Sequence, residues 1–181
     1  MLKITVPESE YFDEVKEEFV HIKEQAMSLE HSLVSISRWE AKHCKTFLDK
    51  NHKTDEELRD YIRCMTLTQN VNPLVYYNLS NDNINDIIEY MNSPMTATTF
   101  NDNNMPNNRS NERITSELIY YWMFSFRIPK ECEKWHINRL LTLIKIFGVK
   151  NGNDKKMPKN EILKQNAELN RARRKRLNTK G

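Results

Sequence analysis

Glycine is scarce in this 181-residue chain, with three in all, and the scarcity removes several chemistries at once. Loops that cradle phosphate need clustered glycines so that backbone amides can approach the anion. The nucleophile elbow GxSxG and the zinc-helix motif HExxH are also missing. Cysteine is nearly as sparse: Cys44, Cys64 and Cys132 form an odd, widely spaced set without a CxxC pair. Such usage excludes a disulfide framework and fits a reducing compartment. The longest apolar-rich stretch, residues 140–147, is far short of the roughly 20 residues a membrane-spanning helix needs. The opening residues MLKITVP have neither the apolar region nor the cleavage site of a secretory signal, so a cytoplasmic location is expected.

What is present points to one globular domain with an appendage: 38% of residues are apolar and 29% charged. Leu2, Ile4 and Val6 alternate with Lys3 and Thr5 and read as a strand stopped by Pro7. Residues 19–23 are its candidate partner, which makes residues 1–28 an N-terminal β-hairpin segment, although the acidic stretch between the two is equally compatible with a helix. Helical spacing starts at Leu29 and runs through Leu33, Ile36, Trp39 or Glu40, His43 and Phe47. Thr54-Asp55-Glu56-Glu57 is a capping box, followed by a stripe of Leu58, Tyr61, Ile62 and Met65. Asn72-Pro73 begins a short turn through Tyr76 and Tyr77. A further helix follows Ser80 with Ile84, Ile87, Ile88 and Met91, ending at Ser93-Pro94.

Residues 95–111 hold threonines, seven Asn or Asp and Pro106, a composition that cannot bury itself and reads as an exposed loop. The next helix uses Ile114, Leu118, Tyr121, Trp122 and Phe126. Pro129 then opens a helix carrying Ile137, Leu140, Leu141, Leu143, Ile144, Ile146 and Phe147, with Gly148 as its C-terminal cap. A helix apolar nearly all round belongs at a domain centre or an interface. Seven buried side chains at roughly 1.5–3 kcal/mol each give on the order of 10–20 kcal/mol gross, which makes this helix the expected organiser of a core domain spanning 29–148. The fold class is therefore mainly α: a compact helical domain, a small N-terminal hairpin and a basic C-terminal helix.

Residues 149–181 begin with the linker Asn151-Gly152-Asn153-Asp154 and become strongly basic. Residues 150–181 contain eleven Lys and Arg against three acids, a net +8, which leaves −5 for the rest of a chain whose total is +3. Three readings of this segment compete: a solvated terminal helix, a docking element for an acidic protein surface, and a nucleic-acid binder. It contains no aromatic residue on which bases can stack, which disfavours sequence-specific nucleic-acid recognition.

Metal and nucleophile chemistry find little footing. His43-Cys44 and Cys132-x-x-x-His136 bring soft ligands close, but the paired spacing of structural zinc is absent and no local signature surrounds either cysteine. No catalytic residue, metal or cofactor is expected. Trp39, Trp122 and Trp135, with Tyr76, Tyr77, Tyr120 and Tyr121, are first of all core candidates, and any left exposed would anchor a protein partner.

Three stretches, PMTATTF at 94–100, KWHINRLLTLI at 134–144 and KMPKNEILKQNAELNRARR at 156–174, resemble a family of small proteins encoded among the tail genes of long-tailed bacteriophages and prophages. That similarity extends from LEHS at 29–32 to the basic tail. Members are commonly interpreted as tail assembly chaperones. The resemblance implies a non-enzymatic factor in the bacterial host cytoplasm that binds tape measure protein, keeps it soluble and assists tail-tube polymerisation. Tail-tube protein is then a second partner, no membrane is involved, and self-association stays open. The partner-binding residues expected are Arg171, Arg173, Arg174, Lys175 and Arg176 with Trp122 and Trp135. The alternatives are a head or tail connector retained in the virion and a small nucleic-acid-binding protein.

Overall fold

The computed structural model describes residues 1–13, 17–49, 53–100 and 113–152, together with residues 167, 168, 171 and 173. Four strands open the chain: β1 (Leu2–Val6), β2 (Ser9–Asp13), β3 (Glu18–Ile22) and β4 (Gln25–Leu29). β1 pairs antiparallel with β4, and β2 with β3. Leu2 with Leu29, Val6 with Gln25, Ser9 with Ile22 and Asp13 with Glu18 all sum to 31. The two pairs therefore share one register and form a single long ribbon, interrupted at Pro7, which has no N–H to give the ladder.

The expected hairpin is present, but its pairing differs. Residues 19–23 lie opposite β2, and the partner of β1 is β4, whose Gln25, Ala26 and Ser28 carry no strand signal of their own. The described part of the acidic stretch between the strands is strand and turn, not helix. At the ribbon's root Ile4, Val6, Met27 and Leu29 are buried while Lys3 and Thr5 face outward, as a period of two requires.

Helix α1 (Leu33–His43) starts four residues later than its apolar spacing proposes, because Leu29 ends β4. Ser32 and Ser35 close a reciprocal capping box at its start. Helix α2 (Asp55–Met65) has the predicted box, with Glu57 N–H donating to Thr54 Oγ1 at 3.2 Å and Thr54 N–H to Glu57 Oε2 at 2.9 Å. A 3-10 turn (Pro73–Tyr77) follows, and α3 (Asn81–Asn92) is capped by Ser80 and ends where Pro94 demands it. Of the expected loop, residues 95–100 are coil and 101–111 lie outside the described residues.

Helix α1 is the centre of the fold. It packs on α2, on α4 (Ser116–Ser125) and on a second 3-10 turn (Lys130–Lys134), while α3 covers β1. Leu33, Ile36 and Trp39 are buried, the Trp39 indole donates to the Glu57 carbonyl at 2.9 Å, and Phe47 stacks on Tyr61. Glu40 lies inside with both oxygens engaged: Oε1 accepts from Phe47 N–H at 2.8 Å and Oε2 from Ser116 N–H at 2.7 Å. One carboxylate thus ties α1 to the loop after it and to the first turn of α4.

Helix α5 (Ile137–Gly152) departs from expectation in three ways. Pro129 starts the short 3-10 turn, and α5 begins only after His136, whose Nδ1 accepts from Asn138 N–H. Ile137, Leu140 and Ile144 are buried, but Leu141, Leu143, Ile146 and Phe147 are half-buried, so the organising role passes to α1. Three fully buried side chains contribute roughly 5–9 kcal/mol gross, not 10–20. Gly148 does not cap the helix, which continues to Gly152 and so takes in half of the expected linker. The chain divides into two compact units, Met1–Ile144 and Lys145–Gly181. In the second, residues 167, 168, 171 and 173 are helical and exposed; the rest of the expected basic helix lies outside the described residues. Among the described residues the class is mainly α.

Candidate protein-binding surfaces

Among the described residues the buried side-chain polar groups of the body are partnered, Ser9 Oγ excepted. His31 lies between Tyr61, whose hydroxyl meets its Nδ1, and the ring of His136 at 5.1 Å. Burial, reinforced by His136, pushes the His31 pKa down to about 3. His136 donates from Nε2 to the Tyr90 carbonyl at 3.0 Å, and burial lowers its pKa in spite of that bond. Burial likewise holds Tyr61 well above the ordinary phenol range. These groups form a neutral, closed network joining the end of the ribbon, α2 and the start of α5. With both imidazoles buried and hydrogen-bonded, no side chain here is presented to a substrate.

A cleft of about 430 Å³ lies beside α2, lined among others by Lys42, His43, Glu57, Asp60 and Arg63. Its charges compensate one another. Asp60 meets Lys42 at 2.5 Å and His43 at 2.8 Å, and Lys45 meets Glu57 at 2.5 Å. Burial alone would raise the Asp60 pKa, but the hydrogen bonds from Lys42 and His43 outweigh it and the net shift is downward. The Lys45 bond and the Thr54 amide hold Glu57 low in the same way. Such a groove joins two helices and leaves little unsatisfied charge for a ligand.

The cysteine and histidine pairs noted in sequence are separated by their roles. His43 faces Asp60 while Cys44, in a left-handed conformation with φ 50°, ends α1 and is exposed. Cys132 is buried in its 3-10 turn, where burial and Glu131 raise its pKa, and His136 is engaged with Tyr90 and Asn138. Among the described residues no three His, Cys, Asp or Glu are grouped to hold a metal ion.

Besides Tyr77, exposed beneath the Arg59 guanidinium, two exposed aromatic surfaces stand out among the described residues. The first is on α4, where Ser116, Ile119 and Met123 face inward. Tyr121 and Phe124, one turn apart, are 65% and 68% exposed. The predicted stripe Ile114, Leu118, Tyr121, Trp122 and Phe126 is therefore out of phase. Residues 118–124 are apolar at every position, so the sequence sets no phase. Trp122 and Trp135 are half-buried, and the Arg139 guanidinium lies over the Trp135 ring at 4.1 Å.

The second surface is the distal half of the ribbon. Phe12 and Phe19 sit directly opposite one another, 45% and 72% exposed, with ring centroids 5.0 Å apart. Glu10 and His21 lie on the same face, while Ile22 and Val20 turn toward the other. Of the basic residues expected to bind a partner, Arg171 and Arg173 are exposed, and Arg174, Lys175 and Arg176 lie outside the described residues.

The chain matches no family model, no curated protein and no solved structure. No helix among the described residues is long and apolar enough to cross a membrane.

Proposed function

We propose that the chain is a non-enzymatic assembly factor, and specifically a tail assembly chaperone of a long-tailed bacteriophage or prophage acting in the host cytoplasm. The observation that carries this reading is the uncovered aromatic face of α4. Tyr121 and Phe124 stand in solvent on a helix whose other face is locked to α1 and whose first turn is held by Glu40. A rigid helix with an unused aromatic face suits capture of another amphipathic helix, the repeating feature of a tape measure protein. The three family-like stretches supply the identity of that partner, and tail-tube protein follows as the component assembled around it. The exposed Arg171 and Arg173 make the basic segment a second protein-contacting surface.

Co-expression with tape measure protein tests the reading. The native chain is expected to raise the soluble fraction of that partner and to co-elute with it on a sizing column. Tyr121→Ser with Phe124→Ser should abolish both effects while leaving the circular dichroism spectrum unchanged. Unchanged solubility with the native chain counts against the chaperone. Recovery of the chain from purified virions in stoichiometric amount would instead support a retained connector.

A further inference from the structure

The charge of this molecule is concentrated at two places. Residues 8–24 carry seven acids against Lys16 and Lys23, a net −5. Residues 150–181 carry a net +8, and the long span 25–149 has 15 acids against 14 bases, a net −1. The negative charge of the body is thus essentially that of the ribbon's distal half, which also presents the exposed Phe12–Phe19 face. Glu10 shares the face of that pair, Glu18 lies on the opposite face by the register, and both are exposed, as are Glu8 and Glu17 beside the two strands.

We propose that this acidic arm, with its exposed aromatic pair, docks the basic C-terminal segment of a second copy of the chain. The complementarity is chemical as well as electrostatic. Arg171, Arg173, Arg174 and Arg176 are guanidinium groups, which stack on aromatic faces and pair bidentately with carboxylates. The protein already uses the stacking mode internally, with Arg59 over Tyr77, Arg63 over Tyr76 and Arg139 over Trp135. Ile162, Leu163 and Leu169 give the segment apolar side chains to lay against two phenyl rings. In trans, the contact makes no demand on the path of the chain between the two surfaces. Because the surfaces differ, the contact is heterologous: each copy offers one arm and one tail, and association propagates into a ring or an open row. The inference is independent of the partner proposed for α4.

Sedimentation velocity of the full-length chain over a concentration series tests it. The weight-average coefficient should rise with concentration at about 50 mM salt and return to the monomer value at about 500 mM, where screening is several-fold shorter in range. Two charge-reversed variants complete the test: Glu8→Lys, Glu10→Lys, Glu17→Lys and Glu18→Lys in the arm, which becomes net +3, and Arg171→Glu, Arg173→Glu, Arg174→Glu, Lys175→Glu and Arg176→Glu in the tail, which becomes net −2. Each alone should remain monomeric, with association weakened by about 100-fold or more. Mixed, they should associate again, because a basic arm now meets an acidic tail. The tail variant alters no residue of the Met1–Ile144 unit, so its result stands even if the arm variant misfolds. A native chain that is monomeric at every concentration, including one closed on its own tail, overturns the proposal. So does undiminished association of the tail variant, or the absence of rescue on mixing two folded variants.

Discussion

Glu40 is a carboxylate inside the body, where it accepts from the backbone amides of Phe47 and Ser116. Replacing it by alanine strands both donors, and leaving a buried donor unmade costs about 1–3 kcal/mol, so Glu40→Ala should lose about 2–5 kcal/mol in urea denaturation. Glu40→Gln should fall between, since its amide has only one acceptor oxygen. The sequence held part of this, placing position 40 on the inner stripe beside Trp39, but a single Glu in an apolar stripe does not announce which amides it will meet. The histidines were less legible still. His31 and His136 are 105 positions apart, and only the folded chain brings them together and removes them from water. Their lowered pKa values mean that the unfolded chain binds more protons than the folded one below the ordinary histidine value of 6.5. This contribution to stability is fully present above pH 6.5 and is lost as pH falls through the window toward about 3 for His31. Thermal midpoints measured by circular dichroism should decline steadily below pH 6.5. A midpoint flat from pH 7 to 4 would contradict the burial of this pair.

Among the elements, the ends were read better than the faces. The Thr54 box, the Asn72-Pro73 turn and the Ser80 cap are local chemistry, written within four residues, and each appears where its sequence puts it. Faces depend on partners distant in sequence. In α4 seven successive apolar residues leave the phase open until Glu40 fixes the first turn and Ile119 and Met123 turn inward. In α5 the length of the apolar run promised a central helix, yet only Ile137, Leu140 and Ile144 are fully enclosed. Gly148 shows the same limit. A glycine after an apolar run is an ordinary stop signal, but here it lies within the helix, with nothing within 4 Å of where a Cβ would stand. Gly148→Ala should therefore stabilise α5 by about 0.5–1 kcal/mol, through a smaller loss of backbone entropy. A decrease in the chemical-denaturation midpoint would mean that the glycine serves as a bend or a contact point.

At the scale of the whole molecule, composition gave the mainly helical class and the break in character near residue 149, because both are properties of long stretches. It also gave the sign of each part, but not that the body's negative charge is gathered on one projecting ribbon, which requires the pairing to be known. The unit Met1–Ile144 contains the ribbon, α1 to α4 and the start of α5. A chain ending at residue 152 should keep a cooperative thermal transition, with its midpoint within about 3 °C of the full chain, and lose self-association. Loss of cooperativity on that truncation would make the basic segment part of the fold. The shared register of the ribbon has a practical consequence. Because β2 and β3 continue the alignment of β1 and β4, removing two residues from each side of the distal half shortens the arm by a fixed step and returns every remaining side chain to its own face. A graded set of such deletions would act as a molecular ruler, separating how far the arm must extend from what it must carry.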